Sequence, residues 1–250
     1  MPELSVLAWT LMGIAALLVG ISKTALPGSN TISVAIFAAL LPAKESTGAL
    51  LVLLIVADAF AIWSYRKHAN WPVLRRLVPT VVAGLVAGAV FLALASDAGV
   101  RRVIGIILLV VIAMTLVRRY TARRGGEQQV SRRREHVQAG VYGTLGGFTT
   151  MVANAAGPVM SMYFLVSRFS VKTFLGTAAW FYAVVNLVKV PFSVGLGLIT
   201  SQTLLLNAVL VPAVVVGALA GRALVPTMNQ ALFDRLVIVL TVVGAVYLVV

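Results

Sequence analysis

The sequence predicts an all-α polytopic membrane protein, with about ten (8–10) transmembrane segments arranged as two inverted-topology repeats. Three observations predict this class: the composition, a series of long apolar runs, and an internal duplication. Of the 250 residues, 60% are hydrophobic and only 11% are charged, and the mean hydropathy is +1.02. Charged residues normally make up about a quarter of a soluble domain, so this chain has too little polar surface for that class.

Apolar segments follow one another along the whole chain. Several approach the length of about 20 residues that a helix needs to cross the hydrocarbon core, and they lack the short alternating pattern of a membrane β-barrel. The ten segments fall at about 4–22, 29–41, 46–65, 77–95, 103–117, 137–151, 157–167, 174–199, 203–221 and 232–250.

Two basic clusters set the predicted orientation. Seven arginines lie within 118–136, and a second cluster occupies 66–76. The positive-inside rule places both in the cytoplasm, which agrees with the even number of segments between them. Both termini are then periplasmic, in a bacterial inner membrane. The formal charge of +13 is assigned to orientation and contact with the lipid bilayer rather than to nucleic acid.

The chain is predicted to be duplicated. Lys44, Gly48 and Asp58 align at one offset with Lys172, Gly176 and Asn186, and Pro79, Gly84, Gly88 and Arg102 align at a second offset with Pro212, Gly217, Gly221 and Arg235. The predicted units are a first transmembrane repeat (1–120), a basic cytoplasmic linker (121–136) and a second transmembrane repeat (137–250). Five segments in each half make the repeats inverted, whereas re-entrant 29–41 and 157–167 would leave four.

In both halves a polar, helix-breaking stretch precedes a short second segment, at 22–31 and 149–158. Such interruptions at corresponding positions point to a transporter's binding site, because free N–H groups at the start of a helix bind anions. The alternative interpretation is two ordinary turns. The predicted substrate-binding residues of these stretches are Lys23, Thr24, Gly28, Ser29, Asn30, Asn154 and Gly157.

Three polar side chains within apolar segments extend the predicted site. Asp58 is functional by default because a charge inside the bilayer is unfavourable: it is either a coupling-proton carrier or a structural acceptor for Asn186 or Lys189. Asn186 and Lys189 are predicted substrate-binding residues, although Lys189 could instead snorkel to the interface. For Lys23, snorkelling is the favoured interpretation.

Other patterns exclude classes of function. The chain has no cysteine and two histidines, both in basic loops, and it contains no zinc-protease or phosphate-loop motif. We therefore expect no enzyme activity, no cofactor and no metal. The pairs Gly84/Gly88 and Gly217/Gly221 are interpreted as helix-packing devices.

The paired pattern resembles the TauE/SafE sulfite exporter family, also called the toluene sulfonate uptake permease family. The resemblance covers nearly the whole chain. In the first half it rests on 18–48, and in the second half on 146–148, 154–158, 174–181, 186–192 and 195–199. The most characteristic piece is Asn186-Leu187-Val188-Lys189-Val190-Pro191-Phe192. It implies secondary transport of sulfite, organosulfonates or related sulfur-containing anions.

Together these observations predict a secondary transporter that moves a small anion by alternating access, with a homo-oligomer as a possible assembly. Two alternatives stay open, an anion channel and a membrane assembly factor that transports nothing.

Overall fold

The computed structural model describes residues 5–100, 132–167 and 169–229, together with a few isolated positions within 102–113 and 232–239. All regular structure in these residues is helical. Predicted segments 103–117 and 232–250 fall largely outside the described residues, as does the linker up to residue 131.

Eight α-helices are described over their full length. They are α1 (Val6–Thr24), α2 (Asn30–Leu40), α3 (Ala43–Tyr65), α4 (Trp71–Leu94), α5 (Arg132–Ala153), α6 (Ala156–Val166), α7 (Val171–Gly195) and α8 (Ser201–Leu224). Short 3-10 turns cover Pro27–Ser29, Arg66–His68 and Val225–Thr227. The all-helical class is confirmed, and each helix overlaps one predicted apolar segment.

Among the described residues, five helices are long and apolar enough to cross a membrane. They are α1, α3 with its following turn, α4, α7, and α8 with its following turn. Helices α2 and α6 have 11 residues each, which at 1.5 Å per residue is about 16 Å, half the hydrocarbon thickness. The predicted count of ten spans therefore stays a prediction.

Helix α5 includes the last residues of the predicted linker. The helix is described from Arg132, whereas the linker is predicted to run to 136, so the three predicted units stay a prediction. Arginine and glutamate are good helix formers, so the polar residues 132–136 extend the helix beyond its apolar part.

Side chains at the helix starts explain several of the other boundaries. The side-chain oxygens of Ser5, Asn70, Ser170 and Thr200 each accept a backbone N–H from the first turn of the helix that follows. Such caps satisfy donors that have no partner within the helix. The first turn of α3 is capped instead by a residue far away in the sequence: the Asp97 carboxylate accepts hydrogen bonds from the N–H groups of Ala43 and Lys44 at 3.3 and 3.0 Å.

Glycines bring two pairs of helices into backbone contact. A Cβ atom added at Gly20 of α1 would lie 2.2 Å from the carbonyl oxygen of Val214 in α8, and one at Gly217 would lie 2.0 Å from that of Leu17. Helices α4 and α5 meet in the same way, at Gly84 and Gly147. Small residues permit such close approach in membrane helices.

The predicted packing role of the four paired glycines is confirmed. Cβ atoms at Gly84 and Gly217 would clash with backbone, and those at Gly88 and Gly221 would lie 2.7 and 2.3 Å from the side chains of Met151 and Thr24.

The contacts also fix the relative direction of the helices. Leu17 meets Gly217 and Thr24 meets Gly221, so α1 and α8 run parallel. By the same criterion α4 and α5 are parallel, since Thr80 bonds Ala139 and Gly88 meets Met151.

Helices α3 and α7, in contrast, cross antiparallel. Gly48 approaches Leu198, just beyond the end of α7, and Gly176 approaches Tyr65 at the end of α3. The midpoint of this crossing lies close to Asp58 and Asn186, which places two polar residues at the centre of the helix bundle.

Close packing of α1 on α8 gives a first prediction. Gly20→Ala places a methyl group against the Val214 carbonyl oxygen, so we expect a loss of about 1–3 kcal/mol of stability. Gly13→Ala is the matched control on the same helix, because nothing lies within 4 Å of its Cβ position. Thermal unfolding of the two purified variants in detergent should show a lowered midpoint for Gly20→Ala alone; equal midpoints would contradict the described contact.

Candidate functional site

The two helix-breaking stretches meet in the structure. The chain leaves the helix between Thr24 and Asn30 in the first half, and between Ala153 and Ala156 in the second. The side-chain amide of Asn30 donates to the backbone oxygen of Asn154 at 2.9 Å. A Cβ atom at Gly157 would lie 3.0 Å from the carbonyl oxygen of Pro27, so glycine permits the contact.

Asn154 holds the junction between these stretches. Its φ is +53°, a left-handed conformation that asparagine tolerates better than most residues. Its amide nitrogen donates to the carbonyl oxygen of Thr47 at 2.8 Å, and its side-chain oxygen accepts from Lys189. Backbone and side chain together therefore connect the second break to α2, α3 and α7.

Lys189 is fully buried, with 0% of its surface exposed. Its Nζ donates to the Thr150 carbonyl oxygen at 2.6 Å and lies 3.4 Å from the Thr150 hydroxyl oxygen, besides bonding Asn154. The snorkelling interpretation is wrong for this residue, because its amine is held at the end of α5 inside the bundle.

A buried ion pair occupies the centre of the site. Lys23 Nζ lies 2.8 Å from Asp58 Oδ1, and the two side chains are 6% and 2% exposed. Asn186 donates to the other carboxylate oxygen at 2.6 Å. Buried charges are tolerated when they are paired and hydrogen-bonded, and both conditions are met.

The expectation that Lys23 snorkels is therefore wrong. Lys23 is the last but one residue of α1, yet its side chain turns inward to the carboxylate of α3. Asn186 is a donor to Asp58, as one of the two interpretations expected. The cation that pairs with Asp58 is Lys23 rather than Lys189.

The ammonium of Lys23 also faces an aromatic ring. Its Nζ lies 4.1 Å from the centroid of Tyr182, a cation–π distance. The sequence interpretation did not select Tyr182. One signal was present: Tyr182 lies four residues before Asn186, on the same face of α7.

A small cavity of about 20 Å³ lies against this cluster. Five predicted residues line it, namely Lys23, Asn30, Asn154, Gly157 and Asn186. Further lining residues, which the prediction did not include, are Ser22, Pro27, Leu54, Thr150, Ala178, Ala179 and Tyr182. The small and apolar ones carry no chemical signal of their own in the sequence.

The remaining predicted residues do not line the cavity. Thr24 donates to the Ala218 carbonyl oxygen, and Ser29 donates to that of Leu26. Both therefore hold the first break in place. Gly28 belongs to the 3-10 turn Pro27–Ser29, which forms part of the same break.

A second, smaller cavity shares Asn154 with the first. It is lined by Val34, Phe37, Ser46, Thr47, Leu50, Ala153 and Asn154. Asn154 thus lines both cavities, and its bond to Thr47 lies at the boundary between them. Among the described residues, no group of three or more histidine, cysteine, aspartate or glutamate side chains could hold a metal ion.

Fold and site together define a multi-pass helical membrane protein with a charged, polar cavity between two interrupted helices. A family model, Sulfite exporter TauE/SafE, matches residues 12–248, so the chain belongs to this family. The resemblance noted in the sequence is confirmed, and with it the class of membrane transporter for small sulfur-containing anions. No curated protein and no solved structure shows significant similarity to the chain.

The buried ion pair gives a second prediction. Lys23→Met leaves the Asp58 carboxylate buried without a cation, and Asp58→Leu leaves the Lys23 ammonium buried without an anion. Each single variant should therefore lose about 3–5 kcal/mol of stability. The double variant Lys23→Met/Asp58→Leu should regain most of it. Unfolding in detergent of the four proteins measures the coupling; losses that simply add in the double variant would show that the pair is not formed.

Proposed function

We propose that this protein is a secondary transporter of sulfite, organosulfonates or related anions in the bacterial inner membrane, working by alternating access without a cofactor. One observation carries the proposal. In a member of a sulfite exporter family, a buried ammonium, that of Lys23, lines a cavity between two broken helices. Charge, burial and position suit a small oxyanion.

The residues that line the cavity have different roles in binding the anion. Lys23 supplies the positive charge and charge-assisted donors, while the amides of Asn30, Asn154 and Asn186 orient the anion. Asn30 is the first residue of α2 and Gly157 the second of α6, so the positive ends of both helices lie at the cavity. Thr24, Gly28, Ser29 and Lys189 keep the broken stretches in place.

Reciprocal packing supports the inverted repeat on which alternating access depends. In the proposed alignment α1 to α4 correspond to α5 to α8. Helix α1 packs in parallel on α8, and its counterpart α5 packs in parallel on α4, while α3 and its counterpart α7 cross antiparallel. A two-fold axis in the membrane plane, relating units 1–120 and 137–250, produces such pairs.

The two cavities supply the two access paths. Asn154 lines both, and its bond to Thr47 closes the boundary between them. Rocking one repeat against the other would break this bond and open the site to the opposite side. Asp58 is the proposed carrier of a coupling proton, because its carboxylate holds the ammonium that binds the substrate.

The third prediction tests transport itself. Proteoliposomes containing the protein should accumulate radiolabelled sulfite under an imposed gradient, with a rate that saturates. Asn154→Gly should abolish accumulation while the protein stays folded, because glycine accepts the positive φ but removes the bonds to Thr47 and Lys189. Gly140→Ala, which meets nothing within 4 Å, is the active control.

Other outcomes would replace the proposal. Single-channel currents carried by sulfite would identify an anion channel. Absence of flux from a folded, correctly inserted protein would contradict both and favour an assembly factor.

The fourth prediction tests orientation in this cysteine-free chain. Lys67 and Ala98 are exposed and lie beyond opposite ends of α4. An impermeant thiol reagent added to intact cells should label Ala98→Cys but spare Lys67→Cys until the membrane is opened. The reverse pattern would invert the proposed topology.

A further inference from the structure

We propose that the cavity at Lys23 selects anions by charge: it binds a singly charged oxyanion directly, and a doubly charged one only together with a proton on Asp58. The proposal rests on the proposed transport function, since it concerns the same cavity and assigns the ionic class of its substrate.

Within the part of the chain that the structure describes, three formally charged side chains lie at the cavity or in contact with its lining residues. Lys23 and Asp58 form the ion pair, at 2.8 Å. Lys189 faces three uncharged oxygens, from Thr150 and Asn154, which match the three hydrogens of an ammonium. With all three side chains ionised, two positive charges and one negative charge give a net charge of +1.

The helices that surround Asp58 add no further charge at this position. Lys23 is the one charged residue of α1, and α2 contains none. On α8, Arg222 lies over the ring of Trp63 instead, 4.0 Å from its centroid. On α7, Tyr182 is a neutral phenol and Lys172 lies exposed in the first turn.

The helix ends at the breaks contribute partial charges of both signs and no whole charge. The positive N-termini of α2 and α6 lie close to the negative C-termini of α1 and α5, because each break joins one of each. Helix dipoles act over about the first and last turn, so the side chains decide the net charge.

A singly charged oxyanion neutralises this site, whereas a doubly charged one leaves a buried excess of one negative charge. An uncompensated buried charge is strongly unfavourable. Protonation of one carboxylate oxygen of Asp58, with a proton taken from solution, restores neutrality and frees the ammonium of Lys23 for the anion. The dianion plus its proton then carries the same charge as a monoanion.

Two unpaired acceptors in the wall agree with this selection. The side-chain oxygens of Asn30 and Asn186 are buried without a hydrogen-bond partner among the described residues, and both residues line the cavity. These oxygens carry partial negative charge, so they disfavour an anion with two negative charges more strongly than an anion with one.

Methanesulfonate and sulfate form a matched pair of probes, because both are tetrahedral and they differ by one unit of charge. We expect calorimetry on the purified protein to show methanesulfonate binding without proton uptake and with no change over pH. Sulfate should take up one proton per anion, so its apparent affinity should rise about tenfold for each unit by which the pH falls. This measurement needs no variant.

Asp58→Asn makes the net charge +2 and should reverse the preference. We expect sulfate to bind at least about tenfold more tightly than to the unmodified protein, with no proton uptake, and to exceed methanesulfonate. Asp97→Asn is the control: this exposed aspartate caps α3 far from the cavity, and its substitution should leave the preference unchanged.

The outcomes separate this inference from the function on which it rests. Sulfate binding without proton uptake, or an unchanged preference in Asp58→Asn while methanesulfonate still binds, would overturn charge selection and leave anion transport standing. Failure of both anions to bind the unmodified protein would overturn the anion site as well.

Discussion

The ion pair between Lys23 and Asp58 is the interaction on which the site depends. Neither charge is tolerable alone in the centre of a helix bundle, so the end of α1 and the middle of α3 must stay close enough for Lys23 Nζ and Asp58 Oδ1 to remain 2.8 Å apart. Asn186 satisfies the second carboxylate oxygen and thereby includes α7 in the same constraint. Glycine contacts at both ends of the α3–α7 crossing keep the backbones close enough for these short side-chain bonds.

The two breaks in the helices are subject to the same requirement, that every buried polar group has a partner. Inside a membrane, backbone groups released from a helix need partners. The side chain of Asn30 supplies one for the second break by donating to the Asn154 carbonyl oxygen, and the Asn154 side chain ties this break to α3 by donating to the Thr47 carbonyl oxygen. Lys189 bonds the carbonyl of Thr150 near the end of α5. The cavity lies where these two helix breaks, near Asn30 and Asn154, come into contact.

Hydropathy predicted the helices because segment length and apolar content are local properties. The site was also predictable from polar residues at the breaks and from Asp58 in a long apolar run. Burying polar groups is unfavourable, so such residues indicate a function or a specific partner. The pairing of Lys23 with Asp58 could not be predicted from the sequence. Lys23 lies near a helix end, where snorkelling is the ordinary expectation, and its turn toward Asp58 follows from the packing of α1 on α8. Tyr182 and the alanines of α7 are common in cores, so only their position at the cavity gives them a role.

The central claim is that an oxyanion sits beside the Lys23 ammonium, between the two broken helices. Anomalous scattering from selenium, in crystals of the protein soaked with selenite as an analogue of sulfite, locates the anion directly. The account predicts one buried peak within hydrogen-bond distance of Lys23 Nζ and of the Asn30 or Asn154 side chain. A peak confined to the basic surface near 66–76, with none in the cavity of a crystal saturated with selenite, would contradict this claim.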